Sequence, residues 1–295
     1  MTDAAGRVDE VEQVPRCYRH PDRETYIRCQ RCTRYICPDC MRQASVGFHC
    51  PECVAEGAAQ VRQPRTVFGG AVAANSDVVT KVLIGLNVAV FLLIRLTGDL
   101  ASPLLARLVM VGQVGFIEGI GATGGVADGA VWRLLTSVFV HVGLLHLAFN
   151  MVALWLFGPT LESLLGRLRF VVLYLLCGLA GSVAVYVLAD PLISTVGASG
   201  AVFGLLGAML IISYKRGYDV RSLLALLAIN AVFTFLPGTN ISWQGHLGGL
   251  LAGLALGAAI AYAPAARRNA LQWGAFATLL VLCLVIVGVR TLLLL

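Results

Sequence analysis

The stretch from Trp243 to Ala263, WQGHLGGLLAGLALGAAIAYA, decides the architecture. It contains no Asp, Glu, Lys or Arg, and it has about the 20 residues an α-helix needs to cross a ~30 Å hydrocarbon core. Its single histidine, His246, shares a helical face with Gly249, Gly253 and Gly257. A glycine stripe lets a second helix approach closely. An imidazole at the head of that stripe is costly at membrane depth, which makes it a functional hypothesis.

Working outward, the same reading gives seven transmembrane helices, at about 78–96, 144–164, 170–189, 199–214, 222–236, 243–263 and 271–293. The fourth and fifth are short, which suggests tilt or burial inside the bundle. The chain is 58% apolar and 13% charged, with a mean hydropathy of +0.81, far from the soluble norm. The expected domains are a zinc-binding module at 1–57, a linker at 58–77, a six-helix core at 78–264 and a seventh helix within 265–295. No internal repeat is visible.

Charge sets the expected orientation. Arg167, Arg169, Lys215, Arg216, Arg221, Arg267 and Arg268 fall on one side, while ADPLIST (189–195) and LPGTNIS (236–242) carry no Lys or Arg. The positive-inside rule then puts the N-terminus in the cytoplasm and the C-terminus outside, in a plasma membrane. The opening MTDAAGRVDEVEQ is too polar for a cleavable signal. The net charge of +6 is explained by this topology, so no nucleic-acid partner is expected. The segment at 97–143 is too interrupted to span and reads as an interfacial, partly helical element.

Seven of the nine cysteines lie between positions 17 and 53, in the pairs Cys17-x2-His20, Cys29-x2-Cys32, Cys37-x2-Cys40 and Cys50-x2-Cys53. Two such pairs complete one tetrahedral metal site, so eight ligands imply two structural Zn2+ and no zinc in catalysis. A disulfide framework is the alternative, opposed by a reducing cytoplasm. His49 could replace Cys50 as a ligand. The arrangement resembles a B-box-type zinc finger. That resemblance implies interleaved sites, with Cys17, His20, Cys37 and Cys40 in one and Cys29, Cys32, Cys50 and Cys53 in the other. The module's own partner is unknown. Cys177 and Cys283 sit in apolar helices and read as packing residues.

The polar residues of the membrane region gather at one level. His141, His146 and Asn150 open the second helix, Ser199 opens the fourth within Gly197-Ala198-Ser199-Gly200, and His246 opens the sixth. These three helices run in the same direction. Gly200, Gly204 and Gly207 give the fourth a small face that can meet the glycine stripe of the sixth. Contact there would bring the Ser199 hydroxyl within reach of His246, a base that can take its proton near pH 7. The free N–H groups at the helix start, with Asn150 and His146, could stabilise an oxyanion. No acidic residue is placed to orient His246, so a dyad is expected. His141, off the face of His146, lines the entrance. Each residue has a plainer reading, since a membrane serine usually bonds a carbonyl and a membrane histidine often bridges helices. Three co-oriented helices carrying the set at one depth favour chemistry.

These motifs resemble the rhomboid intramembrane serine proteases, over roughly 78–264. The shared elements are His141, His146 and Asn150; the G-x-S-G element at Gly197–Gly200; His246 with Gly249 and Gly253; Trp132 with Arg133; and Glu162, Gly166, Arg169 and Phe170. The resemblance implies Ser199 as nucleophile, His246 as general base, and an oxyanion pocket lined by His146, Asn150, Gly197 and His141. It implies single-span transmembrane proteins as substrates, entering laterally from the lipid bilayer beside the fifth helix, with 237–242 as a movable cap. Phe203 stands where relatives often carry tyrosine, and either ring could pack on His246. Gly245 stands for a frequent alanine. The seventh helix and the cysteine module lie outside the resemblance's core. A catalytically silent binder, a transporter and a zinc-finger receptor with an inert anchor are the competing readings. A transporter would need polar residues on both membrane halves.

Overall fold

In lipid, a backbone can satisfy its N–H and C=O groups only within its own segment, so each apolar run must become a helix. The computed structural model describes residues 14–61, 64–72, 75, 77–113, 115–117, 121–236 and 241–295. The chain forms two units, Met1–Gln63 and Pro64–Leu295.

The first unit holds a two-residue hairpin, β1 (Arg42–Gln43) and β2 (Phe48–His49), followed by α1 (Pro51–Gln60). Its buried core is Cys17, Cys29, Cys37, Cys40, Cys50 and Cys53 around Ile36. One aliphatic side chain cannot hold about forty residues together.

The second unit contains α2 (Val78–Leu96), α3 (Pro103–Leu108), an antiparallel hairpin of β3 (Gly115–Ile117) and β4 (Gly121–Thr123), α4 (Arg133–Thr136), α5 (Leu144–Leu165), α6 (Arg167–Leu188), α7 (Ser199–Lys215), α8 (Arg221–Thr234), α9 (Trp243–Ala261) and α10 (Arg268–Leu294). Five of these, α2, α5, α6, α9 and α10, are long and apolar enough to cross a membrane; α7 and α8 are shorter apolar helices. All seven expected helices are present, within a few residues of their expected bounds.

The short α7 is the centre. It is apolar on every side and buried along nearly its whole length, from Gly200 to Ile212, as a fully enclosed helix must be. Next to it, α8 buries only Thr234.

Glycine lets α9 press on α7 at backbone distance. A Cβ on Gly249 would lie 1.9 Å from the Gly200 carbonyl oxygen, and one on Gly253 would lie 1.9 Å from that of Gly204. Polar groups fix the remaining joints. The buried Glu162 carboxylate accepts from the N–H groups of Val79 (3.0 Å) and Thr80 (2.9 Å) and from the Thr80 hydroxyl (3.0 Å). An acidic side chain from the end of α5 thus caps the positive start of α2. In the segment before α5, buried Arg133 donates to the carbonyls of Ala106 and Val109, both at 2.7 Å, and the Trp132 indole donates to that of Arg107 at 3.0 Å. The Trp132–Arg133 pair therefore staples α3 to α4. Met110 and Thr195 exchange two backbone hydrogen bonds (3.1 and 2.9 Å), which ties this segment to the strand leading into Ser199.

The α7–α9 seam has no room for a methyl group. Gly253→Ala is expected to cost about 1–3 kcal/mol by overpacking and to lower the melting temperature of the detergent-solubilised chain. Gly274→Ala, where a Cβ meets nothing within 4 Å, should leave it unchanged. Equal melting temperatures for the two variants would refute the seam.

Candidate active site

Ser199 is the first residue of α7, where the leading N–H groups have no carbonyl ahead of them in the helix. The turn before it is held by the Gly197 N–H, which donates to the Ser137 carbonyl at 3.0 Å. Gly197 has φ +127°, and a Cβ there would lie 2.6 Å from His146 Nε2. Only glycine can turn the chain here and leave space for the imidazole.

His246 is gripped from two sides. Its ring stacks on Phe203, with centroids 4.1 Å apart and planes 13° from parallel. Phe203 is one helical turn beyond Ser199 on the same face of α7. On the other side, His246 Nδ1 lies 3.0 Å from Thr234 Oγ1 at the end of α8. That hydroxyl also donates to the Asn230 carbonyl at 2.7 Å. A hydroxyl has one proton. If it pointed at the imidazole, two oxygens would face each other at 2.7 Å with no hydrogen between them. With its proton on the Asn230 carbonyl, the Thr234 hydroxyl can accept from Nδ1–H, the tautomer that leaves the Nε2 lone pair free.

The neighbours of Ser199 and His246 touch, since a Cβ on Gly200 would lie 3.2 Å from the Gly245 carbonyl oxygen. Among the described residues no hydrogen bond joins the Ser199 hydroxyl to His246. Such bonds often tighten only when substrate is bound.

The two residues expected to assist, His146 and Asn150, lie on α5. Asn150 is buried and donates one amide hydrogen to the His146 carbonyl at 2.9 Å, which leaves its second hydrogen for another acceptor. His141 is fully buried and lies behind the Ser199 turn, not at an entrance. Its Nε2 accepts from the Ala198 N–H at 3.4 Å, and its ring meets His146 edge-on at 4.9 Å between centroids. Most of the expected cap at 237–242 lies outside the described residues. Thr234 is the partner that the sequence reading missed. A polar pair four residues apart, Asn230 and Thr234, in an otherwise apolar helix was the available signal.

The first unit brings its ligand atoms together in the interleaved grouping, Cys17, His20, Cys37 and Cys40 in one cluster and Cys29, Cys32, Cys50 and Cys53 in the other. The Cys17–Cys40 and Cys32–Cys50 sulfur pairs are 3.8 and 3.7 Å apart, and His20 Nδ1 is 3.2 to 3.8 Å from its three sulfurs. A tetrahedral zinc with Zn–S near ~2.3 Å demands S···S edges of roughly 3.8 Å; a disulfide would need about 2.05 Å. All nine cysteines are free thiols. The Arg34 guanidinium donates to Cys32 Sγ at 3.3 Å and holds that thiol below its ordinary value, which favours the thiolate a metal requires. Both clusters fit metal ions. His49 belongs to neither.

The family model for the Rhomboid domain matches residues 128–263, which hold His141, His146, Asn150, Gly197, Ser199, Phe203, Thr234 and His246. The chain is 40% identical over 140 residues to the rhomboid protease GluP of Bacillus subtilis (strain 168), covering 46% of this chain and 27% of that protein. It is 39% identical over 138 residues to YdcA of the same organism, covering 45% and 68%. With RHOMBOID-like protein 6, mitochondrial, of Arabidopsis thaliana it is 37% identical over 155 residues, covering 49% and 50%. The match thus spans about a quarter to two thirds of the length of these relatives. With that similarity centred on the segments that carry Ser199 and His246, the chain belongs to the rhomboid family.

Proposed function

We propose that this chain is an intramembrane serine endopeptidase that cuts transmembrane segments of membrane proteins with Ser199 as nucleophile and His246 as general base. The observation that carries this reading is the grip on His246. The Phe203 ring and the Thr234 hydroxyl hold the imidazole, and the residues next to Ser199 and His246, Gly200 and Gly245, are in backbone contact, which supports a serine and a base working together.

In the proposed reaction, Nε2 takes the Ser199 hydroxyl proton as Oγ bonds to a peptide carbonyl carbon. The carbonyl oxygen becomes an oxyanion, met by the leading N–H groups of α7, the second Asn150 amide hydrogen and His146. As the tetrahedral intermediate collapses, the C–N bond breaks and the imidazolium returns its proton to the leaving amine. Water then enters by the same route and hydrolyses the Ser199 ester. A substrate helix hides its carbonyls in its own hydrogen bonds, so it must unwind before attack. Single-span proteins in the surrounding bilayer are the simplest substrates. Positive-inside topology places the site toward the outer surface of a plasma membrane, with the N-terminal unit in the cytoplasm. In that unit the two clusters hold structural Zn2+ and take no part in the chemistry.

A fluorophosphonate probe should label the detergent-solubilised chain, and Ser199→Ala should abolish both labelling and cleavage of a reporter transmembrane peptide. His246→Ala should remove cleavage while the chain stays folded. Cleavage retained by Ser199→Ala would overturn the mechanism.

Thr234→Val deletes the Nδ1 acceptor and keeps the shape. It should lower kcat by about 10- to 100-fold, a part of the ~10²–10⁴ that a positioned base supplies, with KM little changed. Thr234→Ser should recover most of the loss. A Val variant as active as wild type would refute the positioning role.

Metal analysis of the purified full chain should find two zinc ions, falling to one in Cys40→Ser, and peptide cleavage should survive that change. A metal-free chain, or cysteines paired as disulfides, would exclude the zinc assignment.

A further inference from the structure

Helices α5 and α9 start at the site and run away from it, so the α5–α6 turn and the start of α10 lie at the opposite end of the bundle. There the segment at 64–72 meets the α5–α6 turn and α10 around a cleft of about 620 Å³. Arg65, Arg167, Arg169, Leu168, Asn269 and Trp273 line it. An adjoining hollow of about 310 Å³ is also lined by Arg65 and Arg167.

The charge here is unbalanced. Arg169 is only 6% exposed. Its Nε donates to Gln272 Oε1 at 2.7 Å, one terminal nitrogen donates to Asn269 Oδ1 at 2.6 Å, and its guanidinium carbon lies 5.7 Å from the centre of the Trp273 ring. Both acceptors are neutral amides, and among the described residues no carboxylate lies within 4 Å of it. Of the five N–H donors of a guanidinium, two are thereby assigned and three remain. Arg65 has no acidic partner among the described residues and reaches only the Gly69 carbonyl, at 3.4 Å. Arg167 donates to the Asn75 carbonyl at 3.0 Å and stands 3.9 Å from Glu162, a carboxylate that also accepts three hydrogen bonds from the start of α2. Three guanidinium groups thus line one cleft, and the Glu162 carboxylate of the adjoining hollow is shared between Arg167 and the start of α2.

A guanidinium taken out of water is costly unless an anion accompanies it, and its planar fork suits phosphate oxygens. The surroundings say which phosphate. Leu168 is exposed beside the arginines, and Trp273 offers its ring on the same wall. Both lie at the ends of helices long and apolar enough to span a membrane, the level at which tryptophan meets lipid head groups. A basic pocket between helices at a membrane surface is suited to an acidic head group. We propose that this cleft binds the phosphate of an anionic phospholipid, with the apolar part of that lipid on Leu168 and Trp273. The bound phosphate would cross-link the 64–72 segment, the α5–α6 turn and α10.

The test titrates the full chain in neutral detergent with phosphatidylglycerol, with phosphatidylcholine and with inorganic phosphate, reading the melting temperature. Native mass spectrometry of the wild type counts retained lipid. Phosphatidylglycerol should raise the melting temperature saturably, with one molecule retained per chain, and phosphatidylcholine should not. The double variant Arg65→Gln/Arg167→Gln changes two exposed side chains remote from Ser199. It should lose the phosphatidylglycerol shift and the retained lipid while fluorophosphonate labelling of Ser199 stays at the wild-type level. Equal shifts from both lipids, or an undiminished shift in the double variant, would overturn the proposal. A full shift from inorganic phosphate alone would overturn the lipid as its source. Should the variant prove unstable, failure of the wild type to retain phosphatidylglycerol in preference to phosphatidylcholine decides against it equally.

Discussion

Backbone contact between α7 and α9 is the constraint on which the rest of the molecule depends. Lipid supplies no hydrophobic force to push helices together, so association rests on close packing and on polar contacts. At Gly249 and Gly253 the packing has reached its limit, with no space for a methyl group against the Gly200 and Gly204 carbonyls. The same contact fixes the distance between two chain segments that must each deliver one side chain. A longer separation would move Phe203 off the His246 ring and Gly200 off Gly245.

That seam explains why α7 can be short and still central. It need not reach across a bilayer, because α5, α6 and α9 surround it and keep lipid away from its starting turn. Its first residue can then stand beside buried polar groups such as His141 and Asn150. The role of α8 is the reverse. It buries one residue, Thr234, and that residue bonds the imidazole. The only buried side chain of α8 is thus one that meets the imidazole.

Much of this was legible in the sequence because lipid and metal coordination enforce strict local patterns. The seven apolar runs could only be helices, the stripe from His246 to Gly257 could only be a close contact, and four Cys/His pairs at x2 spacing could only be cross-links or metal sites. Partners set by tertiary placement were not legible. Thr234 is twelve residues from His246 on another helix, and threonine in an apolar helix commonly bonds only its own backbone, as Thr234 also does. His141 was read as an entrance residue because its helical phase differs from that of His146. In fact it precedes α5, where helical phase has no meaning, and it folds in behind the Ser199 turn. The Glu162, Gly166 and Arg169 element was visible as a motif, but its work was not. Glu162 serves α2, some eighty residues earlier, and Arg169 serves α10, about a hundred residues later.

The distribution of satisfied and unsatisfied polar groups separates scaffold from function. Glu162 is consumed by the start of α2, and the Arg133 guanidinium is anchored on the carbonyls that close α3. Such groups join helices and explain themselves. Among the described residues, groups with capacity to spare include the Asn150 amide and the leading N–H groups of α7 at one end of the bundle and the arginines of the cleft at the other; the buried Asn87 Oδ1 and Tyr174 hydroxyl also lack a partner. In a solvent that supplies no hydrogen bonds, spare capacity costs stability unless something else fills it. In the proposed reaction the complement of the donors at the first place is a carbonyl turning into an oxyanion, present only while a substrate reacts. At the second the proposed complement is a standing anion. On the proposed reading, the first group of donors serves chemistry and the second serves anchoring.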